Sequence, residues 1–162
     1  MEVMMDVVHI VITALLAGWL TIGVRDNILH PEINERYTAE VLSMARLKRD
    51  YPDEFARMSQ RALTNRVTQR LLFRLIVIAE VLVAGALWIG VVGLLMGLAE
   101  TDSPEAGRTI ALGAALGFTA LWGTFLIVGN YFCYWFCHVE AQATHFFMLL
   151  WGLATLILLL LP

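Results

Sequence analysis

The chain has 162 residues, of which 59% are hydrophobic and 15% charged, with a mean hydropathy of +0.73. A soluble domain is nearer half apolar and a quarter charged, so this composition argues against one. A net charge of −3 with no nucleic-acid motif gives no reason to expect a nucleic-acid partner.

Four apolar runs, Val7–Val24, Leu71–Ala99, Ile110–Val128 and Thr144–Leu161, each come close to or exceed the ~20 residues that span a hydrocarbon core about 30 Å thick. The expected fold is all-α: a polytopic membrane protein forming one four-helix bundle over residues 1–162, with the lipid bilayer as its main partner. The helices are expected at about 7–24, 71–99, 110–135 and 144–161. The leader Met1–Asp6 is acidic, unlike the basic start of a cleavable signal peptide, so the first run is expected to be a retained helix.

The first run ends at Arg25-Asp26-Asn27, a cluster that lipid does not accept unpartnered. Residues 25–70 then read as an amphipathic helical segment. Pro31 suits a helix start, and Ile33, Tyr37, Val41, Met44 and Leu47 form a stripe at spacings of three and four over about 32–49. Asp50-Tyr51-Pro52-Asp53 breaks that helix. A second is expected from Pro52, with Phe55, Met58, Leu63 and Val67 on its apolar face and Arg57, Arg61, Arg66, Arg70 and Arg74 along a basic flank. Such stripes need cover, from the bundle mouth or from the lipid interface.

The second run carries Glu80 within Ile76–Val83. A charge at mid-membrane costs at least ~2.5–3.5 kcal/mol, so Glu80 is expected to be protonated, hydrogen-bonded or turned to a polar cavity. It is the main intramembrane polar site. Arg74, six residues away, lies on another side of the helix and is no automatic partner. The run ends in Gly93-x-x-x-Gly97, the third begins with Gly113-x-x-x-Gly117, and the connection Glu100–Arg108 between them contains Ser103-Pro104-Glu105, a helix-start signal. The two glycine pairs lie at matched depth and predict a tight hairpin packed at Gly93, Gly97, Gly113 and Gly117.

Asn130–Phe136 has the composition of an interfacial aromatic belt. Cys133 and Cys137, four apart, suit two buried thiols better than a bridge. Asn27, His30, Asn130, His138, Glu140, Gln142 and His145 fall on one side of the membrane and form a candidate polar cluster. His9 opens the first run on the opposite side, so a haem shared by His9 and His145 is geometrically poor. Cys133-x3-Cys137-His138-x-Glu140-x4-His145 matches no standard zinc pattern, and no metal or cofactor is expected. Nor is there a nucleophile elbow, phosphate loop or dinucleotide fingerprint, so an enzyme is not expected.

Of 11 Lys and Arg, ten lie between Arg25 and Arg74. Basic residues in short loops stay cytoplasmic, which predicts residues 25–70 inside and both termini outside.

Several of these residues also carry a resemblance. Asn27 after the first run, Val41-Leu42-Ser43-Met44, Glu80, Gly129-Asn130-Tyr131-Phe132-Cys133-Tyr134-Trp135 and Gln142 resemble the motifs of a bacterial family of predicted small integral membrane proteins, domain-of-unknown-function family 2165. The chain departs from that pattern at Glu40, where a histidine is expected, at Ala45, where an aspartate is expected, and in a longer, more basic first loop. The resemblance implies four helices and a multi-pass protein of the bacterial inner membrane. It implies no activity, and it implies that the first loop lies outside, the reverse of the charge argument. Three functions remain open: a non-enzymatic accessory or scaffold subunit joined to other membrane proteins or to itself, a small proton-coupled transporter or channel using Glu80, and a redox or metal-binding membrane protein.

Overall fold

The computed structural model describes residues 2–99 and 103–161. Its elements are α1 (Glu2–Leu29), α2 (Pro31–Leu42), α3 (Ala45–Asp50), α4 (Pro52–Met58), a single 3-10 turn (Ser59–Arg61), α5 (Arg66–Leu98), α6 (Pro104–Tyr131), α7 (Tyr134–Cys137) and α8 (Val139–Leu160). No strand occurs among the described residues. Four helices, α1, α5, α6 and α8, are long and apolar enough to cross a membrane. The protein is an all-α polytopic membrane protein whose outward-facing Leu15, Leu82, Ile127 and Ile157 meet lipid.

Each spanning helix is longer than its apolar run because the polar flanks continue it. Prolines open α2, α4 and α6, where the missing N–H is not needed. Of the connection expected at Glu100–Arg108, residues 100–102 lie outside the described residues.

Burial on α1 follows one stripe: His9, Thr13, Leu16, Ala17, Leu20, Val24 and Asn27. The spacing is that of one helix face, apolar in the middle and polar at both ends. The helices pack in sequence, α1 along α5, α5 along α6 and α6 along α8. At one end of the bundle His9 Nε2 donates to the Leu158 carbonyl at 3.0 Å. Arg108 donates from Nε to the Leu159 carbonyl at 2.6 Å. The Arg108 bond meets a carbonyl in the last turn of α8, whereas the Leu158 carbonyl also accepts from the Leu161 N–H at 3.1 Å.

The α5–α6 hairpin exists, and its closest approach includes Gly93 of the expected glycines but otherwise falls at other residues. A Cβ on Gly90 would lie 2.8 Å from the Ala111 Cα, and one on Gly93 would lie 2.8 Å from the Gly107 Cα. Gly117 faces the Val83 side chain at ordinary distance, and Gly113 faces open space. Gly97 is buried. Matched depth identified the right helices but not their rotation. Gly113 is two residues past Ala111, about 200° round the helix, and so turns away from α5.

The segment between α1 and α5 caps the other end. Two corrections apply to its expected helices. The first breaks at Met44, which takes a left-handed φ of 53°. The second stops at Met58, and residues 62–65 are not helical. Asn65 then starts α5, its side chain accepting the Val67 and Thr68 N–H groups. Val67 therefore belongs to a spanning helix and is 75% exposed. The non-helical stretch is held by the Leu63 N–H donating to the Leu42 carbonyl at 2.8 Å, and by buried Gln69, whose Nε2 donates to the Leu63 carbonyl at 2.6 Å.

The expected third helix, drawn to about residue 135, ends at Tyr131 because Cys133 also takes a left-handed φ, 55°. A non-glycine residue in that region costs roughly 1–2 kcal/mol. Met44 and Cys133 sit in one apolar cluster with Leu42, Leu47 and Phe132, so burial of the two breaks against each other offsets the strain.

Candidate functional site

Glu80 lies on the buried face of α5, 6% exposed. Its partner comes from α1: Asn27 Nδ2 donates to Glu80 Oε2 at 2.7 Å. Asn34 of α2 extends the chain, its Nδ2 donating to Asn27 Oδ1 at 2.6 Å. Three elements are thus tied by one hydrogen-bonded line that runs from buried Glu80 and Asn27 out to exposed Asn34, and it gives the carboxyl group a partner from within the protein.

This line forms one wall of a cavity of about 320 Å³ that reaches from the bundle interior to the underside of α2. α1 contributes Trp19, Gly23 and Asn27, α2 contributes Asn34, Tyr37 and Thr38, and α5 contributes Phe73, Ile76 and Glu80. The opposite wall is Trp122, Phe125, Val128 and Gly129 of α6, with Phe132, Tyr134 of α7 and Ala141, Thr144 and His145 of α8. Among the described residues no Lys or Arg lines it.

The aromatic wall has a definite shape. Trp19 and Trp122 stand at 71° with centroids 5.3 Å apart, and Trp122 and Phe125 stand at 80° with centroids 5.2 Å apart. His145 lies 5.4 Å from Trp122 and 5.1 Å from Phe125, and it stacks on Tyr134 at 6.0 Å. Successive rings near right angles make the corners of a box, not a stack. Gly129 allows it: a Cβ there would run into the Tyr134 ring at 2.7 Å.

Three polar atoms in this wall, Trp122 Nε1, the Tyr134 hydroxyl and His145 Nδ1, are buried without a hydrogen-bond partner among the described residues. Trp122 is 6% exposed and Tyr134 is 3% exposed. Leaving such groups buried without partners costs on the order of 1–3 kcal/mol each, and all three belong to residues that line this one cavity. Burial pushes the Tyr134 hydroxyl up to about 12, with Tyr37 adding to the shift, so it remains a donor across physiological pH.

A polar latch closes the rim. His138 Nδ1 and the Tyr37 hydroxyl lie 2.9 Å apart, and Glu40 pairs with Arg46. Arg46 also reaches the Cys137 carbonyl at 3.4 Å. Burial, and secondarily Arg46, hold His138 below its usual value against the pull of Glu40. Burial raises Tyr37. The latch pins α2 and α3 to α7 over the cavity mouth.

The structure divides the expected polar cluster. Asn27 and His145 line the cavity, and His138 adjoins it through Tyr37. His30, Asn130 and Glu140 are exposed, and Gln142 is half-buried away from the cavity. On α8 the turn that brings Ala141, Thr144 and His145 inward carries Glu140 and Gln142 to other faces. The belt expected at 130–136 is likewise split: Tyr131 and Trp135 are exposed, whereas Phe132 and Tyr134 are buried. Cys133 and Cys137 are free thiols, and burial raises the latter. Among the described residues no three His, Cys, Asp or Glu side chains converge as a metal requires.

Sequence reasoning missed Trp19, Asn34, Tyr37, Glu40, Arg46, Trp122, Phe125 and Tyr134 as site residues. A signal existed for part of this set. Phe118, Trp122 and Phe125 recur at spacings of four and three, which puts three aromatics on one helix face.

No curated protein and no solved structure matches the chain. The family model of the predicted small integral membrane proteins, domain-of-unknown-function family 2165, matches residues 5–162. Of the residues on which the resemblance rests, Asn27, Val41, Leu42, Glu80, Gly129 and Phe132 line the cavity, whereas Ser43, Met44, Tyr131, Trp135 and Gln142 do not. The chain belongs to this family of predicted small integral membrane proteins.

Proposed function

We propose that this protein is a non-enzymatic membrane protein of the bacterial inner membrane that binds a small amphipathic molecule between its helices and the α2 cap. The observation that carries the reading is the gathering of Trp122 Nε1, the Tyr134 hydroxyl and His145 Nδ1, all buried without protein partners among the described residues, in the cavity that also holds Glu80. A largely apolar pocket with a few convergent polar groups is the usual form of a small-molecule site, and 320 Å³ lies at the lower end of the usual range. Native mass spectrometry of protein purified in mild detergent tests it. The wild type should carry a bound small molecule that Ala141→Phe, which fills the cavity from α8, does not carry. Identical spectra for the two would overturn the reading.

An accessory or scaffold role is favoured by a separate observation. Gly113, Ala120 and Thr124 are exposed on α6 at spacings that place them along one outward face. Small residues let another membrane helix approach closely, so this face suits another subunit or a second copy. Gly113→Leu should then reduce cross-linked assemblies in native membranes while leaving the fold intact.

A further inference from the structure

We infer that the cavity selects an organic ammonium ion carrying a hydrogen-bond acceptor on its apolar body. This rests on the cavity being a ligand site and adds the chemical class of the ligand.

The electrostatics are one-sided. The single carboxyl group of the lining is Glu80, and no Lys or Arg of the described residues lines the space to oppose a cation. Asn27 directs its Nδ2 to one carboxyl oxygen, which orients the group without neutralising it. An ammonium entering from the α2 side therefore meets a carboxyl group whose ionised form its own charge would stabilise.

The aromatic geometry agrees. Trp19, Trp122 and Phe125 form corners at 71° and 80°, with Tyr134 and His145 beside them. Aromatic boxes of this kind hold quaternary ammonium groups through the negative faces of the rings, with tryptophan the strongest contributor. An inorganic cation is served less well. A divalent one needs about six or more oxygens around it, and the acid-bearing wall offers mainly Glu80 and Asn27, with Asn27 Oδ1 already accepting from Asn34.

The unpartnered atoms supply the second half of the specification. Trp122 Nε1 can only donate, and the Tyr134 hydroxyl also has a proton to give. A bare tetraalkylammonium leaves both unmet. An ester, ether or carbonyl oxygen on the same molecule would satisfy them on a small turn of the Trp122 and Tyr134 side chains, whose polar atoms are covered in the ligand-free protein.

Two probe pairs test this, each a cation and its uncharged carbon isostere: acetylcholine with 3,3-dimethylbutyl acetate, and benzyltrimethylammonium with neopentylbenzene. Binding to the full-length protein in detergent is followed by quenching of tryptophan fluorescence and by calorimetry. Each cation should bind at least about tenfold more tightly than its isostere, the ratio expected of a desolvated cation–π site with a counter-charge. Acetylcholine should also outbind benzyltrimethylammonium, which lacks the acceptor. Glu80→Gln should lower cation affinity and narrow the preference to what the aromatic rings alone supply. Should that variant unfold, the wild-type ratios decide the matter alone. Equal or tighter binding of both isosteres would overturn the ammonium assignment and leave the ligand site standing. Absence of binding by all four probes would overturn the assignment as well, and the ligand site would then fall only if native mass spectrometry also showed nothing bound.

Discussion

Glu80 and Asn27 show why a carboxyl group survives within a spanning helix. Asn27 Nδ2 needs an acceptor, and Glu80 Oε2 supplies it at 2.7 Å. Glu80→Gln keeps an acceptor oxygen, so its melting temperature in detergent should stay close to that of the wild type. Glu80→Leu strands the Asn27 amide and should cost about 1–3 kcal/mol. Equal stability of the two variants would show that the bond does not hold α1 to α5. His138 provides the pH dependence of the cap. Its folded value lies below the usual ~6.5 because burial and Arg46 disfavour the charged form. Its contribution to stability is complete above the unfolded value and is lost as pH falls through the folded one. Melting temperature should therefore drop on acidification below about pH 6.5, and His138→Gln should flatten that slope. A slope unchanged in the variant would remove His138 as its source.

At the scale of elements, the α5–α6 hairpin shows what spacing can and cannot predict. Two glycine pairs at matched depth identified which helices touch. The closest contact keeps Gly93 of the expected set and otherwise falls at Gly90, Gly107 and Ala111, since depth says nothing of rotation about the axis. Gly93→Leu or Gly107→Leu should lower stability by about 1–3 kcal/mol or more through overpacking. Gly113→Leu should leave thermal stability unchanged, because its Cβ would meet nothing within 4 Å. If Gly113→Leu proves the more damaging in thermal scans of the isolated protein, the hairpin register described above is wrong. The cap teaches the same point. Its apolar stripe was legible, and Met44 and Leu47 are buried, yet Ile33 at the near end of that stripe is 58% exposed. The breaks at Met44 and Cys133 carried no glycine to announce them. They exist because the two segments bury each other.

For the whole molecule, the open matter is which side the cap faces. Ten of 11 basic residues lie between Arg25 and Arg74, and Arg108, the remaining one, is engaged by the carbonyls that end α8. Charge asymmetry therefore predicts a cytoplasmic cap. With Cys133 and Cys137 replaced by serine, a cysteine at exposed Ser59 should resist an impermeant thiol reagent in whole cells and react after lysis. Strong labelling in whole cells would put the cap outside, and with it the mouth of the cavity.

Taken alone, the sequence determined the properties that depend on local composition and period. These are the four spans, the helix starts at Pro31, Pro52 and Pro104, the amphipathic character of the connecting segment, and the need for Glu80 to find a partner. Each follows from the cost of exposing backbone or charge to lipid or from steric limits on a few neighbouring residues. Only the tertiary structure decided that Asn27 is that partner, that His145 joins the cavity while Gln142 does not, and that Trp122, Tyr134 and His145, each with a buried unpartnered polar atom, line one space. These outcomes depend on the rotation of each helix about its own axis. That rotation is set by side chains from several helices packing at once, and it appears in no single stretch of the chain.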